Sequence, residues 1–201
     1  INIVSAAMKD AAQNMKIQVE RETFEYMYTG VDAANQIGSD VKPEVVGADN
    51  VMEYVLELGQ KLDEANIPES GRYIVIPPWL ASRVKNSDLR QVSTTGDAKS
   101  PLRNGLVGQL DRFNVYQSNL LPRPVDAAGN PILDASGKQS TVILGGTKAF
   151  TSFATQVVKT EDVRLEKQFG DGVRGLQVYG RKVVQPTAGI CMFAVPGTMT
   201  P

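Results

Sequence analysis

The chain has 201 residues, 42% of them apolar, with 21 basic and 22 acidic side chains, one cysteine and no histidine. A single cysteine allows neither an internal disulfide nor a cysteine-pair zinc site, and the lack of histidine excludes histidine-ligated metals and a Ser-His-Asp triad. A net charge of -1 argues against affinity that depends on neutralising phosphates, so nucleic acid is not expected as a tightly bound ligand.

The length of the chain fits one large domain or two small lobes, with a core large enough to fold without disulfides or structural metals. The longest apolar stretch, Tyr73 to Ala81, is far shorter than the ~20 residues that span a bilayer, and Pro77 and Pro78 interrupt it. We therefore expect no membrane partner. Because the chain opens at Ile1 within a helical pattern, we expect it to be a piece of a longer polypeptide.

The first predicted element is a long helix from Ile3 to Tyr28, which no glycine or proline interrupts before Gly30. At 1.5 Å per residue it would measure ~40 Å, which suggests a strut in an elongated subunit. An ordinary amphipathic helix packed on a core would show the same pattern. The carboxylates on this helix are expected to be solvated. Its apolar face comprises Val4, Met8, Ala11, Met15, Val19 and Tyr26, and the carboxylates include Glu20, Glu22 and Glu25.

A connector and a second helix are predicted next. The segment from Val31 to Ala48 contains scattered glycine, proline and polar residues, which indicate an irregular connector at a lobe boundary. Asp49 or Asn50 is expected to cap the helix, with Glu53 in the capping-box position. The buried stripe of the helix is predicted to be Val51, Val55, Leu58 and Leu62.

A strand and a third helix follow. The β-branched run from Arg72 to Pro77 predicts the strand, and Pro78 suits the first turn of the helix. On that helix, Trp79 is expected to be a core anchor rather than a platform for a ligand. Cys191, which lies in a late apolar run, is expected to be a small buried hydrophobe.

Two polar segments are predicted to be exposed loops. The first, from Ser93 to Asn104, has almost no apolar residue. The second, from Arg123 to Ser140, contains two related turns in which Asp126 and Asp134 bond nearby backbone while a glycine adopts positive φ. These turns lack the alternating oxygen ligands of a calcium loop, so no metal is expected there.

Paired strands are predicted at residues 105–110 and 113–118, with a turn at Asp111 and Arg112. A buried-type strand follows at residues 142–144.

The last quarter of the chain is predicted to begin with a short helix, capped by Thr147 and running through Phe150 and Phe153. Alternation of apolar and charged residues then predicts a strand at 161–169, a second strand at 176–184 and a final apolar run at 190–195.

Gly170, Gly172 and Gly175 spell G-x-G-x-x-G, which is the fingerprint of a dinucleotide-binding unit. That unit needs a helix after the glycines and a downstream acid for the ribose. A strand-like pattern follows here instead, and Asp171 is the last acidic residue of the chain. A glycine-rich bend in a hairpin is therefore the better interpretation.

Two further short motifs are weak. Gly145, Gly146 and Lys148 lack the six-residue frame of a phosphate-binding loop. Ser82 and Lys85 have the S-x-x-K spacing of a serine activated by a lysine, but the companion S-D-N and K-T-G segments are absent. A solvated helix face explains both residues, and we predict no catalytic, cofactor-binding or metal-binding residue.

The order of segments from Asn66 to Ile190 resembles a tailed-bacteriophage major capsid protein. In that family a strand leads into a helix near a proline and a tryptophan, and a hairpin ends in S-N-x-L-P. A glycine and Ala-Phe turn then precedes charged strands that return through a V-Y-G segment to a late proline. The matching segments here are Arg72 to Leu80, Phe113 to Pro122, Gly145 to Phe150 and Val173 to Pro186. The resemblance covers about two-thirds of the chain.

The resemblance implies an α+β fold of the tailed-phage and herpesvirus type, with a long spine helix, a peripheral lobe carrying a β-hairpin and a mixed axial lobe. Residues 1–43 would be the spine helix and connector, 44–145 the axial domain, and 146–201 the return to the peripheral strands. The family's N-terminal arm and extended loop would precede residue 1. Arg112 stands where relatives often have a small residue or glycine.

The same resemblance implies a structural protein that is not an enzyme, needs no cofactor and assembles into hexamers and pentamers of an icosahedral head enclosing double-stranded DNA. Its partners would be copies of itself, scaffolding, portal and decoration proteins, and DNA by weak non-specific contact. It would be found in the virion, after assembly in the bacterial cytoplasm. An encapsulin-type compartment shares this fold and is the nearest alternative. A serine hydrolase using Ser82 and Lys85, or a soluble binding module, would belong to other classes.

Overall fold

The computed structural model describes residues 3–87, 109–164 and 171–197 of the chain. The loop predicted from Ser93 to Asn104 lies outside these ranges, as do residues 105–108 and 165–170. The helices in the described part are α1 (Ile3–Thr29), α2 (Val51–Glu64) and α3 (Pro78–Asn86). The strands are β1 (Gln36–Ile37), β2 (Glu44–Val46), β3 (Tyr73–Ile76), β4 (Gln109–Leu110), β5 (Phe113–Gln117), β6 (Thr141–Gly146), β7 (Thr151–Arg164), β8 (Asp171–Val183) and β9 (Gly189–Pro196).

Seven of the described strands form one mixed sheet, in the order β1-β9-β6-β3-β5-β4, with β2 also paired to β9. The last strand in sequence therefore lies inside the sheet. β9 pairs antiparallel with β6 and parallel with both β1 and β2, which follow one another along its other edge. The architecture is α+β, as predicted.

The core lies around β6 and β9, because both strands are continuous apolar runs that are buried on their two faces. The predicted stripe of α2 is confirmed, since its four apolar residues are all buried. The end of α1 reaches the same core, where the Tyr28 ring meets Phe193 edge to face with centroids 5.7 Å apart.

β7 and β8 form a separate two-stranded hairpin, paired from Thr151 opposite Val183 to Arg164 opposite Asp171. A register shift lies between Val157 and Lys159. The hairpin joins the sheet region directly, because the Val184 amide donates to the Phe150 carbonyl at 2.8 Å.

The short helix predicted from Thr147 through Phe153 is wrong. Residues 147–150 form a turn in which the Phe150 amide donates to the Thr147 carbonyl at 3.1 Å. The buried Thr147 hydroxyl has no hydrogen-bond partner, so it does not cap a helix. Pairing with β8 captures the chain from Thr151 onwards and places Phe153 opposite Arg181.

The capping box predicted for α2 is also wrong, because Asn50 is the N-cap but its side chain makes no capping bond. Its Oδ1 instead accepts from the Gly47 amide at 2.8 Å, and its Nδ2 donates to the Val45 carbonyl. The side chain thus ties α2 to β2.

The connector predicted as irregular contains β1 and β2. The two later strands begin earlier than predicted, at Thr151 and Asp171.

Candidate assembly surface

The first half of α1 projects from the rest of the chain. Every residue from 6 to 16 is exposed, including Met8 at 45% and Met15 at 40%. The helix has the predicted extent, but the apolar stripe that begins with these methionines is covered only from Ile17 onwards. A two-turn apolar stripe in water is the mark of a surface that another molecule can cover.

The hairpin has two different faces, because side chains alternate along each strand. Gln177, Tyr179 and Arg181 of β8 point to α1. Leu176 and Val178 lie on the opposite face, where they are 57% and 52% exposed, and the exposed Val184 continues the row just after the strand. We call these three residues the outer face of the hairpin.

The contact between α1 and the hairpin converges on one carboxylate. The Tyr179 hydroxyl donates to Glu22 Oε2 at 2.6 Å, and Arg181 Nη1 donates to the same oxygen at 3.0 Å. Gln18, one turn earlier on α1, donates from Nε2 to Glu22 Oε1 at 2.7 Å. Both oxygens are therefore engaged, one by the helix itself and the other by β8. We call Glu22, Tyr179 and Arg181 the arm joint.

Aromatic rings surround the arm joint. The Arg181 guanidinium lies 5.6 Å from the centroid of the Tyr26 ring and 5.8 Å from that of Tyr179. Phe153 of β7 stacks on Tyr179 with centroids 6.2 Å apart. These contacts limit the rotamers available to the arginine and the tyrosine.

The arm joint shifts the pKa values of its members. The Tyr179 hydroxyl, with further hydrogen bonds from Gln18 and Arg181, lowers the pKa of Glu22 from 4.5 to about 2. The same hydrogen bond raises the pKa of Tyr179. Glu22 is therefore ionised and Tyr179 protonated at neutral pH, which is the combination that the hydrogen bonds require.

An open groove of about 260 Å³ lies beside the arm joint. Val19 and Phe24 of α1 form one wall, and Phe153 and Gln177 of the hairpin form the other. The groove leaves the two elements incompletely packed against each other at this level.

A second charged cluster holds α2 to the loop that follows it. Arg72 is fully buried, and its Nη2 donates to Asp63 Oδ1 and to the Ile67 carbonyl, both at 2.6 Å. The remaining donors reach the carbonyls of Pro68 and Gly59. The hydrogen bond from Arg72 is the main reason that the pKa of Asp63 is lowered.

Arg112 takes part in the same cluster. Its Nη2 donates to Asp63 Oδ2 and its Nη1 to Glu69 Oε1, both at 2.8 Å. The preceding residue, Asp111, makes the turn with a φ of 50°. The arginine therefore fastens the turn between β4 and β5 to the end of α2.

The weak catalytic motif is accounted for by local structure. Ser82 is exposed, and its Oγ donates to the Pro78 carbonyl, one turn earlier on α3, at 3.2 Å. Lys85 is partly buried on the same helix. Nearby Trp79 is only half-buried, packing against the core with the Arg83 guanidinium 5.1 Å from its ring, so it anchors α3 less deeply than predicted.

The glycine motifs are structural. Gly172 and Gly175 lie within β8, while Gly170 lies outside the described residues. Gly145 and Gly146 lie in β6, where a Cβ would stand 2.9 Å from the Tyr73 carbonyl oxygen and 2.5 Å from that of Ala188 respectively. Side chains at these two positions would push neighbouring backbone away.

The predicted turns are confirmed in the segment from Arg123 to Ser140. Asp126 Oδ1 accepts from the amides of Ala128 and Asn130, and Asp134 repeats the arrangement eight residues later. Gly129 and Gly137 have φ values of 84° and 73°. Two backbone amides therefore bond Oδ1 of each aspartate, which makes these carboxylates part of the turns themselves.

Within residues 3–87, 109–164 and 171–197, no group of three or more acidic, cysteine or histidine residues is arranged to hold a metal ion. No helix in the same ranges is both long and apolar enough to cross a membrane.

Cys191 is buried as predicted, and desolvation raises the pKa of its thiol to about 12.

Sequence reasoning missed the arm joint. Glu20 and Glu25 are exposed as expected, although Ser118 donates to Glu20 Oε1 at 2.6 Å. Glu22 is instead the central acceptor of a tertiary contact. No local signal marked it, because polar residues two positions apart on a strand are equally expected on a face that meets water.

The fold is that of solved viral capsids. A chain of Mycobacterium phage Che8 superposes with a TM-score of 0.70 over 92% of this chain, at 23% identity. The capsid of cyanophage P-SCSP1u gives a TM-score of 0.71 over 98%, at 13% identity. The encapsulin complex SrpI of Synechococcus elongatus PCC 7942 gives 0.61 over 94%, at 11% identity. These likenesses define the fold, which the chain shares with phage capsid chains and with an encapsulin.

The sequence of the chain gives the more particular assignment. Residues 1–192 match the model of the phage capsid protein family, so the chain belongs to that family. The resemblance seen in the sequence is confirmed. No match to this chain exists among curated proteins. The chain spans 61% of the matched Mycobacterium phage Che8 chain and 67% of the cyanophage chain.

Proposed function

We propose that this chain is the shell-forming part of a major capsid protein, which self-assembles into hexamers and pentamers of an icosahedral phage head enclosing double-stranded DNA. One observation carries the proposal: the phage capsid family model extends over residues 1–192. The exposed apolar residues of α1 and of the outer face support it, because a subunit of a closed shell must bury surface against its neighbours.

In this proposal the outer face of the hairpin contacts a second copy of the chain. Thirteen residues of strand are about 43 Å long, and two strands are about 10 Å wide, which gives a face of roughly 430 Å². A stable interface buries roughly 800 Å² on each partner. The hairpin face on which these residues lie would supply about half of that area, and the exposed part of α1 is available for the rest.

The proposed subunit keeps the division suggested by the sequence. Residues 1–43 would form the spine helix and connector, residues 44–145 the axial domain, and residues 146–201 the return to the peripheral strands. β9 would complete the axial sheet from the last of these segments. The segments Ser93 to Asn104 and Arg123 to Ser140 would lie near the capsomer axis or on the outer surface.

The subunit would have no enzymatic activity, and its partners would be copies of itself together with scaffolding, portal and decoration proteins. It would assemble in the cytoplasm of the bacterial host. Near-neutral charge suits a wall that lines packaged DNA with only weak, non-specific contact.

Electron microscopy of the complete gene product tests the proposal. We expect closed shells with fivefold vertices and, in particles from infected cells, double-stranded DNA that nuclease cannot reach. The likeness to an encapsulin gives the second candidate, a compartment for protein cargo. Particles that contain a host enzyme and no DNA would favour that candidate, and a strictly monomeric product would contradict both.

The exposed part of α1 can be tested within the same assay. Ala11→Pro should cost the helix about 3 kcal/mol and kink it. Because Ala11 is exposed, the sheet region should unfold at nearly the same denaturant concentration as in the unmodified protein. We expect the yield of particles to fall, whereas Ala11→Ser should assemble normally. A normal yield from the proline variant would contradict a structural role for this half of α1.

A further inference from the structure

We infer that Glu22 is a positioning residue for assembly: it fixes the angle between α1 and the hairpin and so sets where the outer face meets a neighbouring copy. This inference rests on the proposed function for its consequence. The angular restraint itself is a property of one subunit and can be measured without a shell.

Two points of contact define the angle. At one end, Gly30 approaches Val183 so closely that a Cβ on the glycine would collide with the valine side chain. The second point is Glu22, eight residues earlier and therefore about 12 Å along the helix axis. The close contact at Gly30 and the hydrogen bonds at Glu22 together fix the direction of α1 relative to the hairpin.

Beyond the arm joint the two elements separate. Residues 6–16 of α1 are exposed, and Val173, on the same side of β8 as Tyr179, is 43% exposed. The open groove beside Val19 and Phe153 shows that apolar packing is incomplete at the level of the joint itself. Polar contacts to Glu22 therefore carry a large part of the restraint.

The carboxylate is well suited to this role. Gln18 holds Oε1 from within α1, so the orientation of Oε2 toward β8 is set before the hairpin docks. Two donors from alternate residues of one strand, Tyr179 and Arg181, then meet that single oxygen. A shift of β8 by one residue would turn both donors to the outer face, so the joint also selects the register of docking.

The position of the joint amplifies small changes. The tip of β8, at Asp171, lies eight residues from Tyr179, or about 26 Å along the strand. A change of about 10° at the joint would move the tip by about 5 Å. Leu176 of the outer face, three residues or about 10 Å from Tyr179, would move by about 2 Å. Apolar contacts between copies weaken over a smaller distance than that, so the fit of the outer face depends on the joint.

Spin labels on the complete, unassembled protein test the restraint. Labels at Ala12→Cys on α1 and Arg174→Cys on the hairpin report the distance between these two elements. We expect a narrow distribution in the otherwise unmodified protein and one broadened by about 5 Å in Glu22→Ala. Glu22→Gln, which keeps an acceptor but loses the charge, should lie between them. Glu25→Ala, an exposed carboxylate on the same helix, is the matched control and should change nothing.

Tyr179→Phe provides a milder variant that keeps the ring stack and removes one donor, so the test does not depend on Glu22→Ala folding. It should broaden the distribution less than Glu22→Ala. Unchanged distributions in Tyr179→Phe, Glu22→Gln and Glu22→Ala would overturn the inference.

Assembly provides the second readout. Because the angle between α1 and the hairpin is fixed in the unmodified protein, it should give particles of one diameter. Glu22→Ala should give mixed diameters or open sheets. Shells of uniform diameter from Glu22→Ala would overturn the assembly role of the residue. If the unmodified protein forms no shells, the proposed function fails, while the distance measurements still decide whether Glu22 restrains the arm.

Discussion

The seven-stranded sheet and the hairpin with α1 are stabilised in different ways. In the sheet, β6 and β9 are buried on both faces, and the apolar stripe of α2 is buried beside them. In α1 and the hairpin, apolar residues such as Met15 and Leu176 are exposed. These two elements meet through the arm joint of Glu22, Tyr179 and Arg181. Burial of apolar residues thus stabilises the sheet region, whereas polar contacts to one carboxylate join α1 to the hairpin and leave apolar side chains of both elements exposed. The comparison distinguishes residues that stabilise the fold of one chain from exposed apolar residues that, in the proposed function, contact a second copy.

The largest difference between the regions should appear when an arginine is removed from each. Arg72→Met removes the donors to the buried carbonyls of Ile67 and Gly59 and to Asp63, and each bond lost from a buried polar group costs about 1–3 kcal/mol, so the free energy of unfolding should fall by about 3 kcal/mol or more. Arg174→Met breaks an exposed pair with Glu161 in the hairpin and should cost less than about 1 kcal/mol. Denaturant unfolding measures both. Equal losses would contradict the distinction.

A pair of leucines on α2 tests the same distinction within one helix. Leu62 is fully buried and Leu56 is exposed. Leu62→Ala should lower the free energy of unfolding by about 2–5 kcal/mol because it opens a cavity in the core. Leu56→Ala should change it by less than about 0.5 kcal/mol. If Leu56→Ala instead abolishes assembly of a fully stable protein, α2 has a contact surface as well.

A pair of glycines sharpens the comparison further. A Cβ at Gly146 would stand 2.5 Å from the Ala188 carbonyl oxygen, whereas a Cβ at Gly175 in the hairpin would meet nothing within 4 Å. Gly146→Ala should therefore destabilise the sheet by about 1–3 kcal/mol. Gly175→Ala should stabilise the hairpin by about 0.5–1 kcal/mol, because it loses less backbone entropy on folding. Thermal unfolding of both variants distinguishes a packed site from an open one.

The smallest expected effect is the response of the arm joint to acid. The pKa of Glu22 is lowered in the fold from 4.5 to about 2, so the stabilisation from its charge is fully present above the unfolded value and is lost as the pH falls toward the folded one. The spin-label distance should be constant from neutral pH down to about pH 5 and broaden only below about pH 4. Broadening in Glu22→Gln should not depend on pH in this range. A transition near neutral pH would contradict this assignment.

Local patterns predicted the sheet region well, because each signal lies within a few residues. The apolar spacing of α2 and the proline at the start of α3 both correspond to observed features. The two turns at Asp126 and Asp134 are also present. Very short strands were missed, since two or three residues such as β1 and β2 carry too little alternation to be recognised.

The arm joint could not be predicted for a different reason. Glu22 and Tyr179 are 157 residues apart, and nothing local distinguishes Glu22 from the exposed Glu25. The same holds for Thr147, whose predicted helix was prevented by pairing of the next residues with β8. Where contacts between distant segments determine the local structure, sequence periodicity predicts the helices and strands but not how they contact one another.

The placement of β9 has a consequence for biosynthesis. This strand is the last of the described strands to be translated, yet it lies between β6 on one side and β1 and β2 on the other. A ribosome must therefore release residue 196 from its exit tunnel before the sheet can close. Until then the nascent chain carries open strand edges and an unfinished core, and a neighbour has no finished subunit to bind. In the proposed function, translation order would thus delay assembly of each copy until β9 has emerged.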